Sequence, residues 1–177
     1  MRTLFVVRHG ESPFPAGTDD HARPLTPRGE RCARELGLML TRLGEAPEQV
    51  ISSDARRAVE TARAALAAGG WGAEPHLDRT LYLAPPADLT AAVRAARADV
   101  RRIMVVAHQP GLSQWVADLT GAEAPAFAPA SVARVDLAAG GWGSLGPGSG
   151  TLRWVVGPGE AAGFMGPPGA DSPFEPR

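Results

Sequence analysis

The sequence predicts an α/β protein with a three-layer α/β/α sandwich, whose mostly parallel sheet has an antiparallel edge. Short apolar runs, which are typical of strands, alternate along the chain with longer segments whose apolar residues have helical spacing. One apolar run, residues 103–107, is continuous and suits a central parallel strand that is covered on both faces. The last two apolar runs are joined by a glycine-rich turn, which favours an antiparallel pair.

The first strand is predicted at residues 4–7, and the loop 13–24, rich in Pro, Gly and Asp, follows it. A helix should then begin with Thr26 as N-cap and Pro27 at the first helical position. It should end at Gly44. Its buried stripe is predicted to consist of Ala33, Leu36, Leu40 and Leu43.

Strands and helices continue to alternate in the rest of the chain. Ser53 or Asp54 should cap a second helix after a strand at residues 50–52, and Gly69 and Gly70 should end that helix. A third helix is expected at 85–98, and a fourth is expected to follow residues 108–111 and to run through Leu119. The late strands are expected at 131–137 and 151–156. We predict one domain over residues 1–156 and a Pro- and Gly-rich tail at 157–177.

Composition excludes several classes of function. The net charge of −1 provides no footprint for nucleic acid or an anionic membrane. All 18 basic residues are arginine, which excludes P-loop, Schiff-base and kinase-type chemistry because each of these needs a lysine. The single Cys32 lacks an arginine six positions later and is expected to be a small helix residue. With no signal peptide and no long apolar segment, we expect a cytoplasmic protein in a reducing compartment.

Polar residues follow three of the predicted strands in equivalent places. His9, preceded by Arg8, follows the first strand, His108 follows the strand at 103–107, and Arg57 lies in the first turn after the second strand. Ligands bind at the carboxyl edge of open α/β sheets, so these side chains should converge there. Two imidazoles and two guanidiniums beside a helix N-terminus make an anion site, and phosphate is its natural occupant.

Three sequence blocks resemble the histidine phosphatase superfamily, which has the phosphoglycerate mutase-like fold. They are Arg8-His9-Gly10-Glu11, residues 52–62 (SSDARRAVETA) and residues 106–111 (VAHQPG). Within this superfamily the chain is similar to the SixA-type phosphohistidine phosphatases. The resemblance implies that His9 is the nucleophile and that Arg8, Arg57 and His108 form the phosphate pocket. The family pattern Arg-Ala-x-x-Thr matches at Arg57, which is why Arg57 is preferred to Arg56.

The implied chemistry needs neither a metal nor a cofactor. Arg8 and Arg57 would neutralise the phosphate and keep His9 unprotonated, and His9 would attack phosphorus to form a phosphohistidine that water hydrolyses. His108 would donate a hydrogen bond to an equatorial phosphate oxygen. Ser12 and Arg23 are also predicted to bind the substrate. Asp19 and Asp20 share a loop but lack a third carboxylate for a metal site.

The general acid that an alkoxide leaving group requires has no clear counterpart in the sequence. Residues 74–82 lack a glutamate in the matching context, and Asp78 and Glu11 are the candidates. Because imidazole leaves more readily than an alkoxide, this favours a phosphohistidine protein as substrate. A phosphatase or mutase for small phosphorylated metabolites, with Asp78 or Glu11 as acid, remains an alternative. So does an inactive module that binds phosphorylated partners.

Overall fold

Six strands form one sheet in the computed structural model of the protein, which describes residues 1–72, 74–138 and 140–163. In chain order the strands are β1 (Arg2–Arg8), β2 (Gln49–Ser53), β3 (His76–Asp78), β4 (Arg102–Ala107), β5 (Val132–Leu137) and β6 (Gly150–Val156). Their spatial order is β3-β2-β4-β1-β5-β6. The first four strands in this order are mutually parallel, whereas β5 is antiparallel to both β1 and β6. The predicted sheet with its antiparallel edge is confirmed.

Helices cover both faces of this sheet. They are α1 (Pro27–Arg42), α2 (Arg56–Gly69), α3 (Pro86–Arg94), α4 (Gly111–Thr120) and α5 (Pro158–Gly163). There is one hydrophobic core on each face of the sheet, and the central strand β4 contributes side chains to both, because alternate residues of a strand point to opposite faces. Ile103 and Val105 lie in the core beneath α3 and α4, and Met104 and Val106 lie in the core beneath α1 and α2. The α/β/α sandwich is confirmed.

The crossing of α1 and α2 depends on a small residue in each helix. Helix α1 begins as predicted, with the Thr26 hydroxyl accepting a hydrogen bond from the Gly29 amide at 2.9 Å and Pro27 at the first helical position. A Cβ atom at Gly37 would lie 2.2 Å from the carbonyl oxygen of Ala65 in α2. This close approach fixes α2, and with it Arg57, relative to the rest of the sandwich.

Some element boundaries differ from the prediction. The N-cap of α2 is Ala55, and neither Ser53 nor Asp54 caps the helix. Their side chains are used elsewhere, since Ser53 contacts His108 and Asp54 pairs with His21. The sequence also failed to indicate β3, because a three-residue edge strand with exposed side chains has no apolar pattern.

The segment that follows β6 packs against the body of the protein. The side chain of Ala161 in α5 is 3% exposed and belongs to the core beneath α1 and α2. A helix of six residues is too short to produce a periodic apolar pattern, which explains why it was assigned to the tail. The remainder of the predicted tail, residues 164–177, lies outside the described residues. Among the described helices, none is long and apolar enough to cross a membrane.

Candidate active site

The two histidines predicted for the site follow neighbouring parallel strands. Strands β1 and β4 pair with Arg8 opposite Ala107, so His9 and His108 leave the same edge of the sheet side by side. Their ring centroids are 5.1 Å apart. His9 is 9% exposed and His108 is 2% exposed. The sheet therefore brings together two buried imidazoles at its carboxyl edge, as the positions after the strands indicated.

Hydrogen bonding determines which nitrogen of His9 carries the proton. Nδ1 lies 2.7 Å from the carbonyl oxygen of Gly10, which can only accept, so Nδ1 is the protonated nitrogen. Nε2 is left with a lone pair, and the Nε–H of Arg57 donates to it at 3.3 Å. Burial, followed by the charges of Arg57, Arg8 and Arg23, lowers the pKa of His9 to about 4. Neutral His9 with an unprotonated Nε2 therefore dominates at neutral pH.

His108 has the opposite tautomer. The Nη2 group of Arg57 lies 3.3 Å from its Nδ1, and because a guanidinium only donates, Nδ1 accepts there. Nε2 then carries the proton and donates to the hydroxyl of Ser53 at 2.9 Å. Burial, followed by the charges of His9 and Arg57, lowers the pKa of His108 to about 3. Ser53, a buried residue that the sequence analysis considered only as a helix cap, thus fixes this tautomer.

Arg57 lies between the two imidazoles, and its neighbour Arg56 faces solvent. The Arg57 side chain is 2% exposed, whereas that of Arg56 is 58% exposed and pairs with Glu60 one helical turn later. The first turn of α2 directs Arg57 towards the sheet edge. Thr61 anchors that turn, because its hydroxyl donates to the Arg57 carbonyl at 2.6 Å and accepts from the Gly10 amide at 2.9 Å.

Arg8 contributes a guanidinium with an unsatisfied donor. Its Nη1 donates to the carbonyl oxygen of Phe127 at 2.8 Å. Its Nε is buried and has no hydrogen-bond partner among the described residues. The charge of Arg8 acts on His9, as the lowered pKa of that imidazole shows. A buried N–H without a partner destabilises the free protein, and such a donor is available to an acceptor that binds next to it.

The other predicted site residues bind protein groups. The Glu11 carboxylate accepts from the Thr26 hydroxyl at 2.9 Å and pairs with Arg28 at 3.5 Å. Asp78 accepts from the amide and hydroxyl of Thr80, at 2.9 and 2.6 Å.

Ser12 donates to the carbonyl oxygen of Pro24 at 2.6 Å. Arg23 donates to the carbonyl oxygen of Pro13 at 3.0 Å and to the Asp20 carboxylate at 2.9 Å, and its charge acts on His9. Of these four residues, Arg23 joins the network around the histidines through Asp20, and Ser12 contacts that network through Arg23, which donates to its hydroxyl at 3.4 Å.

Sequence reasoning missed two residues of the site, Asp20 and Tyr82. The Asp20 carboxylate accepts from Arg57 Nη2 at 3.1 Å and from the Tyr82 hydroxyl at 2.5 Å. The Tyr82 ring stands edge-on to His108, with centroids 5.5 Å apart. Tyr82 lies in the segment 74–82, where the sequence suggested only a search for a general acid, and nothing local marks Asp20, which lies 37 positions before Arg57 in the chain.

Backbone strain is found at two positions that flank the histidines. Leu83, directly after Tyr82, has φ +50°, and Ala130 has φ +62°. The amide of Ala130 donates to the carbonyl oxygens of both Arg8 and His9. Left-handed backbone at residues with a Cβ is unfavourable and tends to be retained at functional sites.

The described residues contain no group of three or more His, Cys, Asp or Glu side chains that could hold a metal ion.

Sequence comparison agrees with this geometry. The model of the histidine phosphatase superfamily (branch 1) matches residues 4–82, a segment that contains His9 and Arg57. An uncharacterised protein of Mycobacterium tuberculosis is 32% identical over 155 residues, which cover 82% of this chain and 96% of that protein. The chain belongs to the histidine phosphatase superfamily.

Two solved structures place the chain near the SixA proteins of that superfamily. A structure described as the protein histidine phosphatase SixA complexed with tungstate is 26% identical, with a TM-score of 0.77, over 88% of this chain and 97% of that chain. A putative phosphohistidine phosphatase SixA from Nakamurella multipartita is 29% identical, with a TM-score of 0.73, over 88% and 95% of the two chains. The phosphoglycerate mutase-like fold, the superfamily and the SixA-like architecture are thereby established. Together they support a phosphatase, a hydrolase of phosphorylated substrates.

Proposed function

We propose that this protein is a metal-independent phosphatase that removes phosphate from phosphohistidine on a protein, through a covalent intermediate on His9. The observation that carries the proposal is the protonation state of His9. Nδ1 donates a hydrogen bond to the Gly10 carbonyl oxygen, Nε2 bears a lone pair, and the imidazole has a pKa of about 4. A nucleophile of this kind is ready at neutral pH without a base to activate it.

The arginines provide the positive charge that a phosphoryl group requires. Arg57 presents its Nε–H and an Nη2–H between the two imidazoles, and Arg8 has a buried Nε–H that lacks a partner among the described residues. Guanidiniums bind phosphate oxygens with paired, charge-assisted hydrogen bonds. On substrate binding, Arg57 Nε–H would exchange its contact with His9 for one with phosphate, which leaves Nε2 free to attack phosphorus.

His108 can donate to phosphate only after it gains a proton. Its Nδ1 accepts from Arg57 in the free protein, and its pKa is about 3. A bound phosphate adds negative charge beside the ring and stabilises the imidazolium, which donates from both nitrogens. We infer that His108 takes its Nδ1 proton from a substrate that arrives as the monoanion and then stabilises charge on the transferring phosphoryl group.

The carboxyl groups of the site favour phosphohistidine over a sugar phosphate. Glu11 and Asp78, the two predicted acids, accept hydrogen bonds from Thr26 and Thr80. Hydrogen bonds from Tyr82, together with the charges of Arg57 and Arg23, lower the pKa of Asp20 to about 2, so it carries no proton to donate at neutral pH. An alkoxide would leave such a site slowly, whereas an imidazole leaving group needs less protonation.

The test is a comparison of substrates under one set of conditions. Initial rates are measured on a phosphohistidine-bearing protein, a phosphoserine peptide and several sugar phosphates, each with and without EDTA. We expect kcat/KM for the phosphohistidine protein to exceed the others at least a hundredfold and to be unchanged by EDTA.

Each of the other outcomes contradicts the proposal in a different way. Faster hydrolysis of a sugar phosphate would indicate the alternative of a small-molecule phosphatase or mutase. An absence of turnover, with phosphate still bound, would indicate the inactive phosphate-binding module. The matched control is Arg56→Ala, which removes an arginine adjacent to Arg57 that faces solvent.

A further inference from the structure

Arg57 uses the two edges of its guanidinium group differently. In the planar guanidinium, Nε–H and one Nη2–H point to one edge, and Nη1 and the other Nη2–H point to the second. The first edge meets two imidazole nitrogens, with Nε 3.3 Å from His9 Nε2 and Nη2 3.3 Å from His108 Nδ1. This edge is the one that a phosphoryl group between the histidines would contact.

The second edge is held by Asp20, which accepts hydrogen bonds from it through both its main chain and its side chain. Its carbonyl oxygen accepts from Arg57 Nη1 at 2.6 Å, and its carboxylate Oδ2 accepts from Nη2 at 3.1 Å. The carboxylate is itself fixed, because the Tyr82 hydroxyl donates to Oδ2 at 2.5 Å and Arg23 donates to Oδ1 at 2.9 Å. Asp20 thus accepts hydrogen bonds from the edge of the Arg57 guanidinium that faces away from the histidines.

We propose that Asp20 is a positioning residue, which clamps the outer edge of the Arg57 guanidinium so that its inner edge stays aligned with the phosphoryl group. The inference rests on the proposed function only in taking that inner edge as the phosphate-binding one. A guanidinium at the end of a flexible side chain rotates and bends unless its second edge is held. Misplacement of a catalytic group by about 1 Å can lower a rate a hundredfold.

A proton-donating role does not fit Asp20. Its pKa of about 2 keeps the carboxylate ionised at neutral pH. The remaining alternative is that Asp20 is an internal anion that competes with substrate for Arg57. The two roles predict opposite effects of removing the carboxylate, because loss of a clamp slows turnover and loss of a competitor accelerates it.

The test compares Asp20→Asn with Asp19→Asn as a matched control. Asp19 is the same residue type in the same loop, and its side chain is exposed. An asparagine at position 20 has one acceptor oxygen, which can stay on Arg57 Nη2 while the amide NH₂ turns toward Arg23, so Asp20→Ala is measured as well. p-Nitrophenyl phosphate is the assay substrate, because its leaving group needs no acid and the assay is independent of the physiological substrate.

Three measurements are made on each variant. They are kcat and KM, the Kd of inorganic phosphate by calorimetry, and the ¹⁵N NMR signals of the Arg57 Nη groups. For Asp20→Asn we expect kcat to fall roughly 10- to 100-fold. We expect the phosphate Kd to stay the same or to decrease, because a negative charge has left the anion site. The separate Nη1 and Nη2 signals of the wild type should merge as the guanidinium rotates, whereas Asp19→Asn should keep all three values near those of the wild type.

Several results would overturn the inference. A kcat within twofold of the wild type in both Asp20→Asn and Asp20→Ala, or a higher kcat/KM with tighter phosphate binding, would exclude a clamp, and the second result would identify a competitor. Parallel losses of phosphate binding, kcat and thermal stability would mean that Asp20 only supports the fold. Failure of the proposed substrate leaves this test intact, since a wild type that hydrolyses p-nitrophenyl phosphate but not phosphohistidine contradicts only the proposed function. If the wild type shows no turnover, the Nη signals alone test the clamp, and separate Nη1 and Nη2 signals in Asp20→Ala would refute it.

Discussion

Replacing Arg57 by alanine should nearly abolish activity, whereas the same change at Arg56 should have almost no effect. The Arg57 side chain is 2% exposed and donates towards His9, His108 and Asp20. Removal of one preorganised donor from such a site lowers transition-state stabilisation by about 2–4 kcal/mol, so we expect kcat/KM to fall roughly 30- to 1000-fold. Lysine should not restore the rate, because an ammonium cannot reproduce the paired N–H groups.

Arg56 is the matched control for this prediction. Its side chain is 58% exposed and forms an ion pair with Glu60 across one helical turn. Pairs of this kind contribute about 0.3–0.5 kcal/mol, so Arg56→Ala should change kcat/KM less than twofold. Glu60 also accepts from the Leu25 amide at 2.7 Å, which keeps it ordered in this variant.

The assay is kcat/KM against pH for the wild type and the Arg57 and Arg56 variants on one phosphorylated substrate. Arg57 is one of the charges that lower the pKa of His9, so without it that pKa should rise from about 4 towards 6.5. The acid limb of the Arg57→Ala profile should therefore move to higher pH. A larger loss in Arg56→Ala than in Arg57→Ala, or an acid limb that does not move, would refute this reasoning.

Three further predictions concern the nucleophile, metals and the fold. His9→Ala should lose at least about 10³-fold in rate while the circular dichroism spectrum is retained, and retention of a tenth of the rate would exclude the nucleophile. Activity should survive EDTA, and vanadate should inhibit competitively as a phosphate mimic, whereas rescue of an EDTA-treated sample by Mg²⁺ would indicate a metallophosphatase. Gly37→Ala should lower the free energy of unfolding by about 1–3 kcal/mol, because its Cβ would meet Ala65 O at 2.2 Å, and an unchanged denaturant midpoint would contradict this packing.

The pocket formed by the histidines and Arg57 was predictable because local sequence determines where it lies. A continuous apolar run marks a buried strand, and the residue that follows it must lie at the carboxyl edge of a parallel sheet. His9 and His108 both fit this rule, and their strands pair directly. The register of Arg57 followed from the family pattern, and the burial difference between Arg57 and Arg56 agrees with it.

What could not be predicted depends on contacts between distant segments. Asp20 lies in a loop, and its partner Tyr82 is 62 positions further along the chain. Nothing in the composition of that loop distinguishes Asp20 from its exposed neighbour Asp19. The N-cap prediction for Ser53 was wrong for a related reason, since its hydroxyl binds His108, 55 positions away. Tertiary partners decide the use of such polar side chains.

The central claim is that His9 becomes covalently phosphorylated during turnover, and chemical trapping tests it most directly. The protein is mixed with ³²P-labelled substrate, quenched within milliseconds in base and digested, and the labelled peptide is identified by mass spectrometry. We predict a burst of acid-labile, base-stable phosphate on His9 that decays at the turnover rate and is absent from His9→Ala. Steady turnover with no phosphate on the protein, or with phosphate on a residue other than His9, would contradict the account.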